Sequence, residues 1–383
     1  MPRPRALVFA FLVLPCLGLP LLALADGPPR RFAEGTHGRG ELRSVGGLPV
    51  LTVAGTPEEI GTQKGVLLKQ SAGQLLPLFK EFLKAKGLEA AWPLLARAGK
   101  SMEPRIPPEH LRELDALAQA AGLDRELLLV AHVLPDMVRI GGCSVLIVGP
   151  ERSATKGPLF GRNLDIPPVI KVHEHTLVTI YRPKGKHAFV SVNFPGMIGC
   201  ATGMNEAGLV IATNEIYAAK DGSPEFDPQG TPLGFGCRRL LEECTTVAEA
   251  EKLIRALKWT TRAALSVCDR QGGAVFEITP RTVAVRRSTD GCCAATNHFR
   301  SAELATDLRC DRFELLAKTS AARKSFTVAD VAGQLHAVHQ GDWTVQTMVF
   351  EPAALRLHLA IGGLPASAQP LKTLDVRPFF AKE

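Results

Sequence analysis

The segment Gly141-Gly142-Cys143 marks a change in hydrophobic periodicity, and this change constrains the fold more than any other feature of the chain. Ahead of it, apolar residues recur at helical spacing. Behind it, they alternate with polar residues or form short runs, which is typical of strands. Groups of strands followed by groups of helices favour an α+β architecture over a parallel βαβ fold. We therefore expect a mainly helical front segment followed by a layered α+β domain.

Three helices are predicted in the front segment. Thr56 and Glu59 form a capping box that begins a helix running to about residue 84. Two further apolar stripes predict helices at 108–121 and 126–133.

The rear segment contains many short strands interrupted by helical runs. Period-two patterns and turn residues place the strands at 144–148, 158–166, 176–181, 188–194, 198–203, 209–214, 264–268, 274–278, 283–286, 345–350 and 356–361. Helical periodicity places the helices at 235–257, 307–317 and 328–338.

Residues 1–25 have the three parts of a cleavable signal peptide. Arg3 and Arg5 precede an apolar run, which ends in the small residues Ala23 and Ala25. A membrane anchor and a lipid-modified cysteine in this stretch are alternatives. No later segment is long and apolar enough to cross a bilayer. We expect an exported protein, periplasmic or extracellular, without a stable membrane span.

Composition argues against several classes of function. The formal net charge is +7, yet no run of Lys and Arg in the mature part exceeds two residues, and only two Tyr and three Trp are present. Stacking platforms for nucleic acid are therefore not expected. The nine cysteines form no CxxC pair, so no metal site is predicted. Most of these cysteines are interpreted as buried thiols or structural disulfides.

The chemistry is expected at Cys143. Two glycines before it give the backbone freedom that an attack of its thiol on the Gly142 carbonyl would need. Cleavage of the Gly142–Cys143 bond would free an α-amine, which titrates near 7.7–8.0 and can act as general base for its own thiol. On these residues alone, a structural cysteine after a glycine hinge is the alternative.

Downstream motifs resemble a known group of enzymes. These motifs are, in order, Gly161-Arg162-Asn163-Leu164-Asp165, Gly203-Met204-Asn205-Glu206-Ala207-Gly208-Leu209 with Thr213-Asn214, Ala295-Thr296-Asn297-His298-Phe299 and Asp311-Arg312-Phe313. Together with Cys143 they resemble the choloylglycine hydrolase and penicillin V acylase superfamily of N-terminal-nucleophile (Ntn) hydrolases. The long front segment is most similar to the acyl-coenzyme A:6-aminopenicillanic acid acyltransferase and acid ceramidase branches. The resemblance covers about residues 50–363.

The resemblance implies roles for residues near the nucleophile. Cys143 would be nucleophile and, through its amine, general base. Arg162 would lie beside the sulfur and favour the thiolate, because a nearby cation lowers a cysteine pKa. Asp165 would hold the freed amine. An exposed ion pair between Arg162 and Asp165, without catalytic function, is the alternative.

Three further residues follow from the same resemblance. Asn214 would donate to the oxyanion of the tetrahedral intermediate, together with a backbone N–H. Asn297 corresponds to a second active-site Asn, and Arg312, rather than Arg309, to a supporting Arg. As single residues, Asn214 and Asn297 could equally be cap or strand-end residues.

The implied fold is a four-layer αββα sandwich, two antiparallel sheets between helices. Residues 26–142 would form an α chain and residues 143–383 a β chain, which remain associated after self-cleavage. The implied activity is hydrolysis of a linear amide in a small N-acyl substrate through a thioester, without metal or cofactor. An acyltransferase and a non-catalytic envelope protein are alternatives.

Histidines suggest two rival sites. His298 could form a Cys–His dyad, although its neighbouring residues lack the flanks of papain-like proteases. His173 and His175 could bind a metal on one face, but without a companion carboxylate or cysteine cluster we interpret them as surface histidines.

Overall fold

Two β-sheets form the centre of the protein in a computed structural model that describes residues 32–85, 87–167, 171–288 and 290–381. The predicted signal peptide lies outside these residues. The strands, in chain order, are β1 (Gly35–His37), β2 (Gly40–Val45), β3 (Leu48–Gly55), β4 (Gly142–Val148), β5 (Leu159–Asp165), β6 (Leu177–Pro183), β7 (Phe189–Asn193), β8 (Thr202–Asn205), β9 (Val210–Glu215), β10 (Ala263–Cys268), β11 (Gly273–Ile278), β12 (Val283–Arg287), β13 (Cys292–Ala295), β14 (Thr344–Glu351), β15 (Arg356–Ala360) and β16 (Lys372–Asp375).

The two sheets divide these strands between them. The larger sheet has the order β1-β2-β3-β6-β7-β8-β9-β10-β11-β12, and the smaller sheet has the order β13-β4-β5-β14-β15-β16. Neighbouring strands are antiparallel except β3 and β6, which pair in parallel. The β3–β6 pair joins the front segment to the rear segment through a continuous hydrogen-bonded sheet.

Helices cover the outer faces of both sheets. The described helices are α1 (Pro57–Leu67), α2 (Lys69–Ala85), α3 (Trp92–Met102), α4 (Pro108–Ala121), α5 (Arg125–Met137), α6 (Leu233–Glu243), α7 (Val247–Ala256), α8 (Asp311–Ala322), α9 (Val328–Ala337) and α10 (Arg377–Phe380). Helices α1, α6 and α7 pack on the larger sheet, and α8 and α9 pack on the smaller sheet.

Three apolar cores separate the four layers. Strand β4 shows the pattern: Val145 and Ile147 pack in the core between the sheets, whereas Leu146 and Val148 pack against α8 and α9. Because both faces are buried, the strand reads as a continuous apolar run instead of an alternating one. A third core lies between the larger sheet and its helices. The predicted four-layer αββα class is confirmed.

Local differences from the expected elements have physical reasons. The front segment begins with strands β1 to β3, which the sequence reading missed. The predicted helix to residue 84 is two helices that meet at Leu68, although the Thr56–Glu59 capping box is present. The strand expected at 198–203 starts later, at Thr202, because the residues before it form a loop whose backbone is bonded to buried side chains.

No helix in the described part of the chain is long and apolar enough to span a membrane.

Candidate active site

Cys143 lies at the start of β4, directly beside the end of β5. The register of this antiparallel pair places Gly142 opposite Asp165 and Cys143 opposite Leu164. The structure is that of the unbroken chain, in which Cys143 is buried. The antiparallel pairing of the two strands thus brings the cysteine and the Gly-Arg-Asn-x-Asp motif together.

The two glycines before Cys143 are required by close packing. A Cβ at Gly141 would collide with the backbone oxygen of Asp165, and one at Gly142 would collide with the Gln340 side-chain amide. Neither glycine has a positive φ. Glycine is therefore required at these two positions because there is no space for a Cβ atom. A left-handed backbone conformation is not the reason.

The sulfur of Cys143 has one cationic neighbour in direct contact. Nη2 of Arg162 lies 3.3 Å from Sγ, and Nη1 of Arg162 donates to the Ala201 carbonyl at 2.8 Å. Arg162 is fully buried, so it is not an exposed ion-pair residue. Burial raises the pKa of the Cys143 thiol to about 11, against the lowering effect of Arg162. In the unbroken chain the thiol is therefore protonated at neutral pH.

The backbone of Cys143 is held on both sides by polar side chains. Its N–H donates to Oδ1 of Asn297 at 3.0 Å, and its carbonyl accepts from Nη1 of Arg312 at 2.8 Å. Arg312 also donates to Oδ1 of Asn297 at 2.8 Å. Arg309, the other candidate, is exposed and pairs with Glu314. The structure thus brings Asn297 and Arg312 to Cys143, and Arg309 lies outside this network.

Asp165 is fully buried and has neutral hydrogen-bond donors around it. Oδ1 accepts from the Thr344 hydroxyl at 2.6 Å, and Oδ2 accepts from the Gln340 amide at 2.7 Å. Nη1 of Arg312 lies 3.8 Å from Oδ2. The backbone N–H of Cys143 is bonded to Asn297 and not to Asp165. A bond from Asp165 to a freed amine remains a prediction.

Asn214 lies near the end of β9 and is completely buried. Both polar atoms of its side chain lack a hydrogen-bond partner. It does not take part in the network around Cys143, whereas its neighbour Glu215 does. Its role as oxyanion donor therefore remains a prediction. An unpaired buried amide is costly unless a ligand or water completes it.

Glu215 and Tyr217 belong to the site, although the sequence reading did not single them out. Oε2 of Glu215 accepts from the N–H groups of Ile140 at 2.9 Å and Gly141 at 3.2 Å. The Tyr217 hydroxyl donates to the Gly141 carbonyl at 2.9 Å. Burial raises the pKa of Glu215 to about 7. A carboxylate directly after the motif residue Asn214 was the available signal.

A cavity of about 250 Å³ opens onto Cys143. Its walls are mainly apolar, and they come from α2, α5 and the residues after β7. The apolar residues among them include Ala72, Leu75, Phe79, Phe82, Leu128, Ala131, Pro135, Val192, Phe194, Pro195 and Met197. Polar side chains line the end near the sulfur, among them Arg162, Asp165 and Glu215. Such a cavity fits an apolar group attached to a polar reacting centre.

The histidines of the two alternative sites do not contact the sulfur of Cys143 in the hydrogen bonds of the described residues. Nδ1 of His298 has no hydrogen-bond partner, and the side chain that contacts Sγ of Cys143 is Arg162. His175 is buried, so its interpretation as a surface residue was wrong. Within the described ranges, no group of three or more His, Cys, Asp or Glu side chains could hold a metal ion. All eight cysteines of the described chain are free thiols.

The fold and the site define a layered α+β protein with a buried cysteine at the start of a strand. Residues 152–330 match the sequence model of a family described as acyl-coenzyme A:6-aminopenicillanic acid acyl-transferase. The match begins after Cys143 and contains the other predicted site residues. It confirms the resemblance to the Ntn-hydrolase group that the motifs predict.

Two curated relatives are similar over a large part of the chain. An uncharacterized protein of Archaeoglobus fulgidus is 24% identical over 288 residues, which cover 65% of this chain and 46% of the relative. Protein dcd1B of Dictyostelium discoideum is 24% identical over 227 residues, which cover 52% of this chain and 44% of the relative. The chain therefore spans less than half the length of these relatives.

A solved structure that is similar is the N-acylethanolamine-hydrolyzing acid amidase ortholog of Caenorhabditis elegans. It is 18% identical, with a TM-score of 0.44, and the likeness covers 55% of this chain and 93% of that one.

Proposed function

We propose that this protein is a self-cleaving cysteine Ntn hydrolase that acts on linear, non-peptide amides of N-acyl compounds. The observation that carries the proposal is the position of Cys143: its sulfur contacts Arg162 at 3.3 Å, at the polar end of an apolar cavity. Its backbone N–H donates to Oδ1 of Asn297 at 3.0 Å, so a polar group already lies beside the nitrogen that would become the free amine.

Self-cleavage starts from the unbroken chain. The Cys143 sulfur attacks the Gly142 carbonyl carbon, the peptide C–N bond breaks, and the thiol proton ends on the Cys143 nitrogen. Water then hydrolyses the resulting thioester, leaving a carboxylate on Gly142 and a free amine on Cys143. Hydrogen bonds from Arg312 and to Asn297 hold the Cys143 peptide unit in place during this step.

Substrate turnover uses the same sulfur. The freed amine accepts the thiol proton, and the thiolate attacks the substrate carbonyl. Once the C–N bond breaks, the amine product leaves with that proton, and water hydrolyses the acyl thioester to a carboxylic acid. The cation of Arg162 favours the thiolate, and opening the site at the new N-terminus reduces the burial that now keeps the thiol protonated.

The cavity favours a substrate with an apolar acyl group. Phe79 and Phe82 of α2 and Leu128 of α5 offer no hydrogen-bonding side chain, so an acyl chain gains mainly from leaving water. The polar groups lie at the cysteine end, where the amide would react. Both α2 and α5 belong to the front segment, which therefore supplies part of the acyl-binding surface, and the residues after β7 supply the rest.

The two chains produced by cleavage, 26–142 and 143–383, would remain associated. Strand β3 of the front segment pairs with β6 of the rear segment, and Lys64 forms a buried ion pair network that reaches Arg238. These contacts do not involve the bond that is cut. An exported protein, as the first 25 residues predict, would therefore work as a two-chain enzyme outside the cytoplasm.

A panel of amides that differ in acyl group tests the proposal. The wild-type protein should release amine from apolar acyl amides, and a thiol-directed acyl probe should label Cys143. The Cys143→Ala variant should release no amine and should not react with the probe. The Cys293→Ala variant lacks another buried cysteine of the smaller sheet, and it should release amine and be labelled like the wild type. An uncut chain that releases no amine and resists the probe would instead favour the non-catalytic protein.

Addition of an amine acceptor separates hydrolysis from transfer. Hydroxylamine is a suitable acceptor. If a low concentration of it captures most of the acyl group as the hydroxamate, so that little free acid forms, the acyltransferase alternative replaces the hydrolase. If free acid remains the main product, hydrolysis stands.

A further inference from the structure

A loop of residues 194–199 forms one wall of the cavity, and buried charged side chains bind its far side. Phe194, Pro195, Gly196 and Met197 line the cavity. Behind them, Nζ of Lys64 on α1 donates to the Met197 carbonyl at 3.0 Å. Lys64 is fully buried and is not among the residues that line the cavity, so its bond to the loop is its link to the cavity wall.

The next residue of the loop, Ile198, is held through both backbone groups. Its carbonyl accepts from Nη1 of Arg238 at 3.1 Å, and its N–H donates to Nε2 of His132 at 2.8 Å. Nδ1 of His132 is 2.7 Å from the Leu128 carbonyl. His132 is therefore neutral with its proton on Nδ1, and burial agrees with this by lowering its pKa to about 4.

These side chains form one buried network across the two segments. Lys64 pairs with Glu113 at 3.1 Å and donates to the Tyr181 hydroxyl at 2.7 Å. Arg238 pairs with Glu113 at 2.6 Å and with Glu242 at 2.7 Å. The front segment contributes one cation and one carboxylate to this network, and the rear segment contributes one of each together with the tyrosine hydroxyl. The network therefore crosses the boundary between the two chains that self-cleavage would create.

Stability alone is a poor explanation for such a network, because the loss of hydration on burial offsets much of the attraction between the charges. Burial lowers the pKa of Lys64 to about 8, although Glu113 opposes this. Buried ion pairs are often no more stabilising than apolar residues of the same volume, but they fix geometry through directional bonds. Here the directional bonds end on consecutive peptide groups of the cavity wall, Met197 and Ile198.

We infer that Lys64, Arg238 and His132 are positioning residues that fix the 194–199 wall of the cavity and thereby set its selectivity for the acyl group. The inference rests on the proposed function for its substrate. The inference goes beyond that function because it assigns a role to residues outside the predicted catalytic group. None of the three side chains touches the sulfur or the predicted catalytic residues. Loosening the wall should weaken binding of acyl groups that fill the cavity, while short acyl groups depend on it little.

The test compares Lys64→Met with His110→Leu in the full-length protein. His110 is equally buried and bonds to Glu242 in the same network, but it has no bond to the loop. For Lys64→Met we expect KM for a long apolar acyl amide to rise about tenfold or more, with kcat and the kinetics of a short acyl amide nearly unchanged. His110→Leu should leave the ratio of the two KM values unchanged.

A second readout does not depend on activity. The backbone amide of Ile198 should exchange with solvent faster in Lys64→Met than in the wild type, and near the wild-type rate in His110→Leu. If Lys64→Met fails to fold, the double variant Lys64→Met with Glu113→Gln removes both charges of that pair, while Arg238 keeps its ion pair with Glu242.

The outcomes are decisive in each arm. A changed acyl selectivity with faster exchange of the 194–199 amides, seen for Lys64→Met and not for His110→Leu, supports the inference. Equal effects of the two variants, or unchanged exchange in Lys64→Met, overturn it. If wild-type protein hydrolyses no amide, the proposed function fails on its own, and the exchange comparison still decides whether Lys64 holds the loop.

Discussion

The guanidinium of Arg162 lies 3.3 Å from the sulfur of Cys143, and both side chains are buried side by side on neighbouring strands. A fixed cation at this distance stabilises a thiolate more than a thiol. In the unbroken chain burial still dominates, so the thiol pKa is about 11. If the 142–143 bond is cut as proposed, Arg162 is placed to stabilise the thiolate of the newly exposed sulfur.

Loss of this cation should move the pH dependence of turnover. For Arg162→Gln we predict that the apparent pKa of the nucleophile in kcat/KM rises by about 1–3 units, because a cation within contact distance lowers it by that amount. Kinetics with a single amide across pH measures the shift, and Arg287→Gln, on an exposed arginine, is the control. An unchanged pH profile would contradict the assignment of Arg162.

Arg312 should matter for self-cleavage because it holds the carbonyl of Cys143. The Arg312→Met variant loses charge-assisted bonds to Cys143, Ser144 and Asn297. We predict that cleavage at 142–143 slows at least about tenfold, since each such bond contributes about 1.5–3 kcal/mol. Arg309→Met, three residues away and exposed, should cleave normally. Equal rates for the two variants would remove Arg312 from the site.

Replacement of Asn214 tests its predicted role as a hydrogen-bond donor to the oxyanion. The Asn214→Ala variant should cleave itself largely as the wild type does but turn over substrate about 10²–10³ times more slowly, as loss of one oxyanion donor does elsewhere. Its amide has no partner in the unbroken chain, so its removal breaks no existing hydrogen bond. Parallel measurement of cleavage and of kcat checks this. Unchanged kcat would show that another group stabilises the oxyanion.

The raised pKa of Glu215 should make the free energy of unfolding depend on pH. Burial raises its pKa from 4.5 to about 7, so the folded protein keeps a proton that the unfolded chain loses near pH 4.5. Between these values the folded state binds more protons, and the free energy of unfolding therefore decreases as pH rises. We predict that Glu215→Gln removes roughly 2–3 kcal/mol of this decrease.

Urea titrations of the uncut Cys143→Ala background at about pH 4 and about pH 8 measure this effect. Asp136 adds a decrease of the same sign, because burial raises its pKa to about 6, and this part should survive in Glu215→Gln. Replacement of the exposed Glu303 by Gln is the control. A slope unaffected by Glu215→Gln would mean that this carboxyl is ionised in the folded protein.

Sequence patterns predicted the rear segment well because its strands and helices have clear periods and turn residues. Strands β11 and β14 begin within one residue of the expected starts, 274 and 345, and in the front segment α4 has the predicted bounds, 108–121. Strand β3 was missed because it is buried on nearly all of its residues and shows no alternation. Its parallel pairing with β6 is a long-range contact that no local pattern encodes.

The candidate site was predictable where motifs carry it. The motifs located Cys143, Arg162, Asn297 and Arg312, and the fold brings these four into one network. Glu215 was not predicted, because its role depends on where the chain before Cys143 lies after folding. Nor could the cavity be foreseen, since its walls come from α2, α5 and the 194–199 loop, which are distant in sequence.

The most direct test of the account is the intact mass and N-terminal sequence of the purified protein. Self-cleavage predicts two chains, one of which begins at Cys143, and a single uncut chain for Cys143→Ala, with amide turnover only in the cleaved form. Turnover by a wild-type protein whose 142–143 bond is intact would contradict it.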